Sequence, residues 1–156
     1  SIGAQRALGR PPTSLDEVDT AIVAIVDRVS RRMRAAGRVG RTVVLRLRFD
    51  DFSRATRSHT LPDATANTQA ILTAARRLLA IAVPMIERQG ITLVGVAVSN
   101  LDDGRAVQLV LPFDRHSSDA LDAALDEVRQ RFGSTAITRA VLIDRGQGLA
   151  MPLLPD

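Results

Sequence analysis

The sequence predicts an α+β domain. Its centre is a four-stranded antiparallel sheet in the order strand, helix, strand, strand, helix, strand (βαββαβ), with two helices on one face and a C-terminal helix–strand extension. Three observations predict it. Segments 14–36 and 67–90 carry apolar residues at spacings of three and four, as amphipathic helices do. Between them, residues 41–62 alternate at period two around an Asp50-Asp51 turn, the pattern of a hairpin. Flanking both helices, 1–8 and 91–100 have strand composition and short Gly or Pro boundaries.

Taken in order, Ser1 to Leu8 alternates, with Ile2 and Ala4 on one side and Gly3 and Gln5 on the other. Ser14 and Glu17 form a capping box ahead of Leu15, Val18, Ile22, Ile25, Val29, Met33 and Ala36, and Gly37 closes the helix. Arg31, Arg32, Arg34 and Arg38 crowd its last turns, where cations complement the helix dipole. In the first hairpin strand Val43, Leu45, Leu47 and Phe49 point one way and Thr42, Val44, Arg46 and Arg48 the other. The second strand, Ser53 to Leu61, is expected to stop at Pro62. A helix then starts near Thr65 or Asn67 with Ile71, Leu72, Ala75, Leu78, Leu79, Ala82 and Ile86 buried; Pro84 should kink or terminate it, and Gly90 ends it. Ile91 to Asn100 is apolar on both faces. After a polar turn and Gln108 to Phe113 come a helix from about Ser118 to Phe132, whose stripe Leu121, Leu125, Val128 and Phe132 must dock on something, and a strand-like segment Ala136 to Ile143. These divide the chain into a domain over 1–100, a motif segment over 101–116 and an extension over 117–156.

Composition narrows the chemistry. The 156 residues are 46% hydrophobic but only 3% aromatic, without Trp or Tyr, so stacking platforms for single strands are not expected. All 21 basic residues are Arg. Without Lys there is neither a P-loop nor a Schiff base, and without Cys no disulfide, zinc ribbon or thiol catalysis. Asp50-Asp51 and Asp102-Asp103 lie in turns, and His59 and His116 stand at no metal-ligand spacing, so no catalytic and no metal site is expected. No apolar run approaches the about 20 residues of a membrane span, and the first ten residues lack the apolar core of a signal peptide. The expectation is a cytoplasmic protein with no membrane partner, in a chain that starts abruptly and continues a longer one upstream.

Charge points to a partner. Residues 1–100 hold 15 Arg against 8 acids, whereas 101–156 hold 6 against 9; between Arg28 and Arg57 there are 10 Arg and two Asp. Arg46 and Arg48 on one strand, with Arg54, Arg57, Ser58, His59 and Thr60 on the next, are donors suited to phosphate oxygens. The expected role is sequence-independent contact with duplex DNA, Arg57 and His59 facing the duplex together with Arg46 and Arg48, although Arg54, Thr56, Ser58 and Thr60 form an alternate set that is nearly as polar.

Four segments in order, SIGAQ at the start, LRLRFDDFSRATRSHTLP, LVGVAVSNL and QLVLPF, resemble the little finger, the C-terminal domain of Y-family translesion DNA polymerases, specifically DNA polymerase IV of the DinB type and an actinobacterial member. The resemblance implies a domain that holds template and primer beside an open active site. It implies that Gln108, Leu109, Leu111, Pro112 and Phe113 bind the bacterial sliding clamp as an extended peptide. It also implies an upstream catalytic core in the same chain whose carboxylates hold Mg²⁺, with no cofactor in this domain itself. Alternatives are the little finger of a catalytically inactive Y-family accessory protein, a ferredoxin-like nucleic-acid module, which would need sheet aromatics, and an acylphosphatase-like enzyme, which would need an anion-binding loop where Arg10-Pro11-Pro12 stands.

Overall fold

The computed structural model describes residues 1–9, 14–104 and 116–143. Its elements are β1 (Ile2–Ala7), α1 (Leu15–Ala35), β2 (Arg38–Arg48), β3 (Arg54–Thr65), α2 (Thr68–Gln89), β4 (Leu93–Asp103) and α3 (His116–Phe132), followed by a 3-10 turn at Ala140–Leu142. One antiparallel sheet has the strand order β1-β4-β2-β3. The β1–α1–β2 unit is therefore split by β4, and β3–α2–β4 by β2. Both helices lie on one face.

The reasons are local. The Ser14 side chain accepts from the Glu17 N–H while Glu17 reaches back to the Ser14 N–H, each at 3.2 Å, which closes the expected capping box on α1. Gly37 takes φ +61 just beyond the end of α1, a left-handed conformation natural to glycine. Asn67 caps α2 through the Ala70 N–H, and Gly90 ends it. Val18, Ile22, Val26, Val29 and Met33 of α1 and Ile71, Ala75 and Leu78 of α2 bury against Val43, Leu45, Leu47 and Phe49 of β2 and Val94, Val96 and Val98 of β4.

Four expectations are corrected. Pro62 does not stop β3, which runs on to Thr65. The strand lies at the sheet edge, and the register shifts between Gly40 and Thr42, so Pro62 falls opposite a bulge where no ladder N–H is needed. Pro84 does not end α2 either; it is exposed, as is Ala80, whose carbonyl it leaves free and water can reach. Segment 136–143 forms no strand: it packs on α1 away from both sheet edges, with the Ile137 carbonyl accepting from Arg129. Lastly, α2 is long and apolar enough, at mean hydropathy 1.4, to cross a membrane by length and composition alone. Its apolar side is instead spent on the sheet and α1, and Arg76 pairs with Asp19 of α1.

The C-terminal helix differs from expectation in how it docks. Of the expected stripe Leu125 and Val128 are half-buried but Leu121 and Phe132 are exposed, and among the described side chains of α3 the buried ones are Asp122 and Arg129. β4 also continues to Asp103, past the expected boundary at residue 100.

Candidate nucleic-acid interface

The sheet face away from the helices is built row by row from the register. Gln5, Gly95, Arg46 and Thr56 form one row across β1, β4, β2 and β3; Gly3, Ala97, Val44 and Ser58 form the next; Ala7, Leu93, Arg48 and Arg54 a third. Ser99, Thr42 and Thr60 extend it. No carboxylate stands in these rows; Asp102 and Asp103 pair with Val39 and Arg38 at the far end of β2 and β4. Directly opposed residues in an antiparallel sheet share a face, so each assignment follows from the buried partner of its neighbour.

Half of this face is low and half is tall. A side chain on Gly3 would come within 2.7 Å of the Ala97 Cβ, and one on Gly95 within 3.1 Å of the Gln5 Cβ. A side chain at Gly3 would force a shift and one at Gly95 would crowd Gln5, so the two glycines leave a shallow floor along β1 and β4. Beside it rise the guanidinium and hydroxyl groups of β2 and β3. Same-face neighbours along a strand are about 6.6 Å apart at two residues of rise.

The edge adds backbone donors. The Phe49 N–H bonds the Ser53 carbonyl at 2.9 Å, and this alternation directs the N–H groups of Ala55, Arg57 and His59 to β2. Those of Arg54, Thr56, Ser58 and Thr60 therefore point away from the sheet, on the residues whose side chains occupy the open face. The hairpin tip is fixed as well. The Thr92 N–H donates to the Arg48 carbonyl at 2.9 Å, and Asp51 accepts from the Ser53 N–H at 2.9 Å and from its hydroxyl. The Ser53 hydroxyl, then its N–H, hold the Asp51 carboxyl below its ordinary range.

Charge is divided between the two sides of the molecule. On the helix side Arg34, Arg76, Arg129 and Arg139 each meet a carboxylate, and Arg32 donates to the Gly3 carbonyl at 3.1 Å. On the open face Arg46, Arg48 and Arg54 have no carboxylate partner among the described residues; Arg48 donates only to Thr92, at 3.3 Å. Arg28 and Arg31 of α1 and Arg77 and Arg88 of α2 also lack a carboxylate partner among the described residues, so the open face is set apart by its cations standing together beside hydroxyl donors.

The expected site residues separate. Arg46, Arg48, Arg54, Ser58 and Thr60 come together on the open face. Arg57 and His59 do not: they oppose Leu45 and Val43, both fully buried, and so stand on the helix side, where Arg57 approaches the Met85 sulfur at 3.4 Å. Thr56, opposite Arg46, joins the face although it was not among the expected contacts. The signal for this lay in β3 itself, because Ala55 and Leu61, its two apolar residues ahead of Pro62, share the parity of Arg57 and His59. Gln108 to Phe113 lies outside the described residues.

Residues 1–111 match the impB/mucB/samB family C-terminal domain. The chain belongs to that family. This impB/mucB/samB C-terminal domain is 34% identical over 150 residues to DNA polymerase IV 2 of Mesorhizobium japonicum, across 88% of the chain and 36% of the relative. It is 37% identical over 142 residues to DNA polymerase IV of Moorella thermoacetica, across 90% and 35%. The chain thus spans about a third of the length of the curated relatives it matches. In fold it is similar to the little finger domain of PolIV in a complex with the beta-clamp processivity factor, with TM-score 0.51, 23% identity, and coverage of 72% of this chain and 98% of that one. It is also similar to Dbh DNA polymerase in a post-insertion binary complex, with TM-score 0.55, 11% identity and coverage of 64% and 28%. The resemblance to a Y-family DNA polymerase IV little finger holds, as does its α+β architecture.

Proposed function

We propose that this domain holds template–primer duplex for a DNA polymerase IV through sequence-independent phosphate contacts, and tethers that enzyme to the bacterial sliding clamp. One observation carries the DNA reading: Arg46, Arg48 and Arg54 stand together without a carboxylate partner among the described residues, in rows of the open face that hold no carboxylate, beside Thr56, Ser58 and Thr60. Guanidinium, hydroxyl and edge N–H donors bind phosphate without reading a base, which suits an enzyme that must hold any sequence. Support for the clamp reading is narrower. The family match extends through Gln108 to Leu111, and a little finger of this fold is found with a beta-clamp.

Nucleotide addition would belong to a catalytic core preceding this domain in the same cytoplasmic chain. The Mg²⁺ of that reaction would be held by the carboxylates of that core. The role left to this domain is to grip and orient.

The test is duplex binding as a function of salt. A variant with Arg46, Arg48 and Arg54 all changed to Ala should bind template–primer duplex at least about a hundredfold more weakly at low salt, with the slope of log K against log salt reduced by about three. An unchanged slope would remove the open face from the interface.

A further inference from the structure

The face on which α3 docks is built round buried charges, with Leu125 and Val128 half-buried beside them. Its buried residues, Asp122 and Arg129, are 6% and 8% exposed, while Leu121 and Phe132 are 58% and 75% exposed, and no residue of α3 joins the apolar core. Arg34 of α1 is the hub. It grips Asp126 with Nε at 2.6 Å and a terminal nitrogen at 3.0 Å, and its other nitrogen lies 3.2 Å from Asp122. Asp122 also accepts the Thr68 N–H at 2.8 Å, and Asn67 donates to Ser118 and Asp119. At the far end Arg129 pairs with Asp27 of α1 at 3.3 Å. Burial opposes the charge on Arg34, but its hydrogen bond to Asp126 and the fields of Asp122, Asp126 and Asp27 outweigh it and raise its pKa above the ordinary value.

From this we infer that α3 is a latch: an arm held down by ion pairs, which ionic strength releases while the sheet, α1 and α2 stay folded. Docking of this kind gains little from the hydrophobic effect, and the attraction between partly buried ions is nearly cancelled by the cost of drying them. Salt screens buried pairs less than exposed ones, but a balance this close needs only a small push, and the Debye length falls from about 10 Å at 0.1 M salt to about 3 Å at 1 M. The domain beneath does not depend on the arm. With α3 gone, Arg34 keeps the Ala66 carbonyl and the Thr68 hydroxyl, both at 3.0 Å, and Asn67 still caps α2 through the Ala70 N–H.

Amide hydrogen exchange on the 156-residue chain tests this. The comparison is wild type at about 0.1 M and about 1 M NaCl, an Asp122→Asn, Asp126→Asn double variant, and Arg131→Gln as control, whose exposed pair with Glu127 lies within α3. Exchange in α3 should be at least about tenfold faster in the double variant, and in wild type at high salt, with β2 and β4 unchanged. The control should match wild type. The inference is overturned if α3 keeps its protection under both perturbations, or if α3 and the sheet lose protection together.

Discussion

Leu45 and Arg57 are register partners across β2 and β3, and because Leu45 is fully buried, Arg57 stands on the helix side of the sheet. Arg46, one residue along, faces the other way with Thr56 opposite it. Two arginines that one sequence motif groups together thus serve different surfaces, and their substitutions should have different effects.

Arg46→Ala should weaken duplex binding similarly for all sequences and lower the salt slope by about one. Arg57→Ala should leave the slope where it is. Fluorescence anisotropy across a salt series measures both, and equal slopes for the two variants would mean that the open face is not the contact surface.

The clamp reading rests on Gln108, Leu109, Leu111, Pro112 and Phe113. Changing Gln108, Leu109 and Leu111 to Ala together should reduce affinity for purified bacterial sliding clamp by at least about a hundredfold, the scale expected when apolar anchors leave a pocket. Duplex binding should not change. Surface plasmon resonance on immobilised clamp decides it; retained affinity would return the segment to a structural role.

At the hairpin tip, the depressed Asp51 carboxyl links turn stability to pH. A carboxyl lowered on folding adds stability that is fully present above its unfolded value, near 3.8, and is lost as pH falls through the still lower folded value. Ser53→Ala removes the largest cause and should bring the Asp51 midpoint up toward 3.8. Carboxyl chemical shifts followed by NMR from neutral pH to about pH 2 report it; an unmoved midpoint would assign the depression to some other group.

Much of this protein was legible without coordinates. The capping box at Ser14 and Glu17, the spacing of three and four from Val18 to Met33, the alternation from Val43 to Phe49 and the Gly90 stop are local signals, each set by a residue's own backbone and its neighbours within a turn. They determined the elements, their order, and a sheet with one covered and one cationic face. The tertiary structure decided what local signals leave degenerate. Whether Arg57 or Thr56 meets a partner depends on pairing with β2, because a strand polar on both sides carries almost no preference for either face. That Pro62 continues a strand depends on β3 lying at an edge. That α3 buries Asp122 and leaves Phe132 in solvent depends on Arg34 and Asp27, remote in sequence, which supply at close range the counter-charges that make a buried carboxylate and guanidinium tolerable. Periodicity records which side of a helix is apolar; only the assembled neighbours fix which side faces in.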